Sequence, residues 1–325
     1  MSAIGTALGP SLGGVLIAGA GWQAIFLVNV PLGVLAFLLA YRTLPADRLA
    51  AKTDRGSLDT LGTMLLAATL AAYALAMTIG RGQFGALNLA LLLTAMAGAV
   101  LFARVEAVAA SPLIRPAMLR EPRLRAGLVT STLVSTVLMA TLVVGPFYLS
   151  RALALDAALV GSVVAAGPVV VALSGIPAGR LVDRFGAQGV TFIGLIGIAG
   201  GSTLMSMMPT SFGIPGYVGP LIVITGGYAL FQTANTTAVM TGVRADQRGL
   251  VSSLLNLSRN LGLVTGASAM GAVFTFALGT ADIAAASRDA VAASMKITFA
   301  VAAVLIAAAL VLAISTASPR RRRGR

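Results

Sequence analysis

Residues 187–208 read AQGVTFIGLIGIAGGSTLMSMM, a run from Ala187 to Met208 without a single charge. At 1.5 Å per residue a helix of that length reaches about 30 Å, the thickness of a bilayer's hydrocarbon core. The rest of the chain repeats the pattern. Of its 325 residues 58% are hydrophobic and only 10% charged, where a soluble domain carries roughly a quarter. A large soluble core does not explain the deficit, because single cores stop growing near ~250–300 residues. Lipid is the solvent that suits such a surface.

Outward from that run, ten candidate spans emerge: Ile4–Ala20, Ala24–Tyr41, Thr60–Ile79, Leu87–Ala103, Ala126–Leu149, Ala157–Gly179, Ala187–Met208, Gly216–Val243, Leu250–Leu278 and Ile297–Ser318. The reading is an all-α polytopic membrane protein of about ten transmembrane helices. Glycines such as Gly194, Gly197, Gly200 and Gly201, and later Gly262, Gly266 and Gly271, suit close helix packing in lipid.

Charge orients the spans. With the C-terminus inside, the inner loops collect the basic residues between Arg42 and Arg55 and between Arg104 and Arg125. They also collect Arg180, Arg184, Arg244, Arg248 and the tail arginines Arg320 to Arg323 and Arg325. The outer loops hold only Arg81, Arg151, Arg288 and Lys296. Lys and Arg gather on the cytoplasmic side of membrane proteins, so both termini are expected there. The same rule accounts for the net charge of +13 without a nucleic-acid partner. No basic residue precedes the first apolar stretch, so it is not read as a cleavable signal.

The chain has no Cys and no His. Disulfides, thiol nucleophiles, zinc sites and His acid–base catalysis are thereby excluded, and the spans offer no paired acids for an intramembrane enzyme. No metal or cofactor is expected.

The first span holds Gly5-Thr6-Ala7-Leu8-Gly9-Pro10-Ser11-Leu12-Gly13-Gly14. Gly5, Gly9 and Gly13 share one helix face, and Pro10 withdraws a backbone donor and kinks it. Trp22, Phe26, Asn29, Pro31 and Gly33 follow. Together these segments resemble the antiporter motif and the next helix of major facilitator superfamily drug:proton antiporters with fourteen helices. Gly179-Arg180-Leu181-Val182-Asp183-Arg184-Phe185-Gly186 is similar to that family's inner-loop gating motif, and places Asp183 to pair with Arg180 or Arg184 at a turn between helices. Arg248, Gly249, Ser252, Ser253, Asn256, Arg259, Asn260 and Gly262 resemble its thirteenth helix.

The resemblance implies a layout. Residues 1–41 supply the last two helices of the N-terminal half, 42–125 an inserted helix pair with its loops, 126–318 the C-terminal six-helix half and 319–325 a basic cytoplasmic tail. The family's first four helices have no counterpart. By resemblance the activity is proton-coupled efflux of hydrophobic or amphipathic drugs and antibiotics across the plasma (inner) membrane by alternating access. The alternative is a truncated transporter without autonomous transport, since two of six N-terminal helices would leave the central cavity without one wall.

All ten acids, Asp47, Asp54, Asp59, Glu106, Glu121, Asp156, Asp183, Asp246, Asp282 and Asp289, fall outside the apolar spans. The proton carrier is therefore expected in the missing helices. Arg259 is the one charge inside a span, roughly 13–14 Å along its helix from Leu250, and an intramembrane charge is a functional-site hypothesis. Asn256, one turn before it, and Gln232 and Asn235 in the polar cluster Gln232–Thr237 are the expected companions in a substrate cavity. Thr130, Thr132 and Thr136 add weak polarity to the fifth span.

Overall fold

The computed structural model describes residues 23–43, 59–79, 85–109, 113–114, 116–280 and 286–317, and all the regular structure among them is helical. Among the described residues nine helices are long and apolar enough to cross a membrane. We label them α1 (Gln23–Thr43), α2 (Thr60–Thr78), α3 (Ala86–Val108), α4 (Pro122–Phe147), α5 (Ala157–Phe185), α6 (Ala187–Met207), α7 (Gly213–Met240), α8 (Arg248–Leu278) and α9 (Arg288–Ala317). A helix satisfies its backbone groups within one segment, which is what hydrocarbon demands. The tenth expected span, Ile4–Ala20, lies outside the described residues, as do Trp22 and the antiporter glycines.

Helix starts follow local chemistry. Asp59 caps α2, its Oδ1 accepting the Gly62 N–H at 2.7 Å. Asp156 caps α5 in the same way through the Leu159 N–H at 2.9 Å. Pro122 opens α4 at a position where no backbone donor is needed.

Several helices outrun their apolar cores. Hydropathy marks only the part that sits in lipid, while backbone hydrogen bonding continues until a cap or a glycine stops it. Helix α3 extends to Val108 and takes in Glu106, and α9 begins at Arg288 and takes in Lys296. Helix α5 runs on through Phe185, so the gating motif is two closing helical turns rather than a loop. The link to α6 is Gly186 alone, whose φ of +76° is a conformation that costs glycine nothing.

Helices α4–α9 form one packed body. Its most extensive helix pairs are α6 with α7 and α4 with α8, followed by α6 with α9, α5 with α7 and α4 with α9. Both leading pairs are built on glycine. A Cβ on Gly266 would stand 2.5 Å from the Thr136 carbonyl oxygen, and one on Gly194 2.6 Å from the Phe231 nitrogen. Across the α4–α8 joint, the Thr132 and Thr136 hydroxyls donate to the Ser258 and Gly262 carbonyls, each at 3.1 Å. Val137, Val144, Leu195, Ile198, Ile224, Phe299 and Ile306 fill the core. Outward apolar side chains such as Phe276, 91% exposed, are what a lipid-facing surface carries.

Helices α2 and α3 pair as a hairpin that leans on α8. Tyr73 and Thr265 share a hydroxyl–hydroxyl hydrogen bond, and the Ser268 hydroxyl donates to the Met77 carbonyl. Helix α1 packs extensively on no other described element.

Candidate functional site

Four helices of the body, α4, α5, α7 and α8, enclose a cavity of about 270 Å³. Its walls are mostly apolar, with Leu138 and Leu142 from α4, Val164, Pro168 and Val171 from α5, and Leu221 and Ala229 from α7. Helix α5 carries Pro168 and Pro177 in its interior, each withdrawing a backbone donor. Gly175 adds no side chain to the wall, and a Cβ there would meet nothing within 4 Å.

Helix α7 turns one stripe toward this space. Tyr217, Leu221, Thr225, Tyr228 and Gln232 all line it, at the three- and four-residue spacing of a single helix face. Gly145 makes room for the Tyr217 ring, whose hydroxyl donates to the Thr141 carbonyl at 3.2 Å. The Tyr148 ring lies beside it, centroids 6.1 Å apart.

Arg259 is the charged side chain among the lining residues. Its Nε is buried and has no hydrogen-bond partner, and the Tyr228 hydroxyl is in the same condition. The Arg259 charge reaches Tyr228 electrostatically. A desolvated guanidinium nitrogen without a partner is costly, and this one borders empty space large enough for a ligand.

A second pocket of about 340 Å³ is lined by Arg123, Gly127, Thr130, Gln188, Thr191, Asn235, Thr241 and Thr316. Asn235 belongs here, its Nδ2 donating to the Gly127 carbonyl at 3.1 Å. Of the four residues expected in one cavity, the fold therefore brings together Arg259 and Gln232 and assigns Asn235 elsewhere. Asn256, three residues before Arg259 on α8, is exposed and lines neither space. Thr132 and Thr136 serve the α4–α8 joint.

The gating-motif residues Arg180, Asp183 and Arg184 are exposed at the end of α5, with Gly179 before them and Gly186 after. The expected pairing of Asp183 with its neighbouring arginines does not form. Among the described residues the one ion pair is Arg244 Nε with Asp246 Oδ1, at 3.2 Å. Arg184 instead lies over the Phe185 ring, 5.4 Å from its centroid. The antiporter motif residues Gly5, Gly9, Pro10, Gly13 and Gly14 fall outside the described residues.

One acid departs from expectation. Glu106 is buried within α3 rather than lying in a loop. Its Oε2 accepts the Ile114 N–H at 3.0 Å, while its Oε1 and the Asp59 Oδ2 are buried without partners. A Cβ on Gly62 would stand 2.5 Å from the Asp59 oxygen and 2.6 Å from the Glu106 oxygen. The two orphan oxygens are therefore at most about 5 Å apart. Sequence reasoning missed the pair because Glu106 lies beyond the apolar core of its span.

Comparison with known proteins places this geometry in context. Residues 1–267 match the family model described as Major Facilitator Superfamily. The chain is 27% identical over 266 residues to an uncharacterized transporter, YebQ, of Escherichia coli, covering 82% of this chain and 58% of that protein. It is 30% identical over 281 residues to the drug efflux pump JefA of Mycobacterium tuberculosis, covering 86% and 54%. A triacylglyceride transporter of Mycolicibacterium smegmatis is 28% identical over 284 residues, covering 83% and 50%. The chain thus spans about half the length of the curated relatives it matches.

Proposed function

This chain is a multi-pass membrane protein that belongs to the Major Facilitator Superfamily, and on that premise we propose that it is a secondary transporter exporting hydrophobic or amphipathic small molecules. The carrying observation is the cavity between α4, α5, α7 and α8, apolar in its walls and holding the unpartnered Arg259. Transporters bind substrate near the bilayer midplane between repeats and rock about that site. The relatives described as a drug efflux pump and a triacylglyceride transporter support an apolar cargo.

Protons are the proposed coupling ion. The proposed seat is the plasma membrane, both termini cytoplasmic. Arg180, Asp183, Arg184 and the glycines around them then act as a gate at the arginine-rich end. Asn235 and the second pocket stand at that same end.

The test is transport by the purified full chain in liposomes, with hydrophobic dyes of each charge type and an imposed pH gradient. Dye movement that a protonophore abolishes is expected, reduced roughly tenfold or more by Arg259→Gln, the loss of one strong transition-coupled contact. Movement indifferent to the gradient would remove proton coupling. No movement at all would overturn the proposal in favour of a chain that folds and binds without transporting.

A further inference from the structure

We propose that the cavity selects an organic anion, an apolar body of about two fused rings carrying a carboxylate or similar acid group. The inference rests on reading this cavity as the ligand site and goes further by naming the ligand's charge. Among the described lining residues Arg259 carries the one charge, and its Nε is buried with no partner. Among the described residues no acidic side chain lines the cavity.

The helices around it offer no internal counter-ion either. Helices α4, α7 and α8 contain no acid, and α5 contains only Asp183, exposed in its last turn. Glu121, Asp156 and Asp246 stand just before α4, α5 and α8, at their ends. A guanidinium whose Nε is buried beside Leu, Val and Pro walls is stabilised most by an anion that enters with the ligand.

A second donor stands ready for the same group. The Tyr228 hydroxyl is buried without a partner and close enough to feel the Arg259 charge. Oriented toward an anion it donates, while toward a cation it competes with the repulsion of Arg259. Gln232, one turn along α7 on the same face, forms no side-chain hydrogen bond to another described residue and completes the polar end of the site. The remaining walls recognise only apolar shape. The volume of about 270 Å³ holds a ligand of this size and not a long lipid in full.

Equilibrium binding to the full chain in lipid nanodiscs tests this without any gradient. Three probes share one body and differ in head group: 1-naphthoate, 1-naphthylmethanol and 1-naphthylmethylammonium, followed by naphthalene fluorescence. Naphthoate is expected to bind about tenfold tighter than the alcohol, with the ammonium weakest. Arg259→Gln should remove the acid's advantage, so that naphthoate binds no tighter than the alcohol in that variant. Arg259→Lys, which keeps a point charge, should restore part of it, and Tyr228→Phe should weaken the acid about threefold.

Ammonium binding as tight as naphthoate would overturn the inference. So would an equal loss for all three probes in Arg259→Gln and Arg259→Lys, which would mark Arg259 as structural only. Chloride displacing naphthoate at comparable concentration would also overturn it, making Arg259 a site for an inorganic counter-ion. Naphthoate selectivity in a chain that fails the liposome assay would overturn transport and leave this inference standing. Gradient-driven transport without acid preference would do the reverse.

Discussion

Helices α4 and α1 are both apolar enough to span a bilayer, yet more than half of α4's span is buried inside the protein and none of α1's is. The hairpin α2–α3 lies between these extremes, leaning on α8 at the Tyr73–Thr265 and Ser268–Met77 contacts. Hydropathy therefore decides that a segment enters the membrane and is silent on what it touches there. Lipid tails are as apolar as leucine, so association needs close backbone approach and interhelical hydrogen bonds instead. Helices α4 and α8 have both, in Gly262 and Gly266 and in the threonines that bond across, while α6 and α7 approach closely at Gly194 and Gly227. In the described part of α1 the one glycine is Gly33, and a Cβ there would meet nothing within 4 Å.

The largest expected effect comes from filling that approach. Gly266→Leu drives a side chain into the Thr136 carbonyl and should cost about 3 kcal/mol or more, read as loss of the folded, monodisperse protein in thermal unfolding. Gly200→Ala is the matched control, since a Cβ there meets nothing within 4 Å; alanine's helix preference should make it neutral or stabilising by up to about 1 kcal/mol. Equal destabilisation by both would break the contrast between packed and unpacked glycines.

A middle-sized effect is expected at the cavity wall. Tyr217→Phe removes the hydrogen bond to the Thr141 carbonyl and should lower stability by about 1 kcal/mol in the same assay. No change would mean that the ring, rather than its hydroxyl, holds α7 against α4.

The smallest effect sharpens the comparison most. Tyr73→Phe combined with Ser268→Ala should cost under about 1 kcal/mol and leave the melting of the body alone. It should show instead as faster hydrogen exchange confined to α2 and α3. If exchange rises equally in α4 and α8, the hairpin is part of the body rather than a separate layer on it.

Much of the fold was legible before any coordinates. Nine of the ten expected spans correspond to described helices, because about 20 apolar residues have few other uses. The misreadings share one cause: Glu106, Lys296 and Phe185 all sit in helical turns outside the apolar core, where hydropathy stops but hydrogen bonding does not. The stripe Tyr217, Leu221, Thr225, Tyr228, Gln232 was readable in principle from its three- and four-residue spacing. Attention to polar residues alone passed over its tyrosines.

The sequence by itself determined the membrane class, the helix count and the isolation of Arg259, because transfer into lipid depends on composition along a single helix. Only the tertiary structure decided that Gln232 shares a cavity with Arg259 while Asn235, three residues on, bonds α4 beside another pocket. It also decided that Asp59 and Glu106 meet over Gly62. Which face of a helix meets which neighbour depends on glycines and hydroxyls contributed by two distant segments at once. That pairing is a property of the packed bundle, and no single stretch of chain contains it.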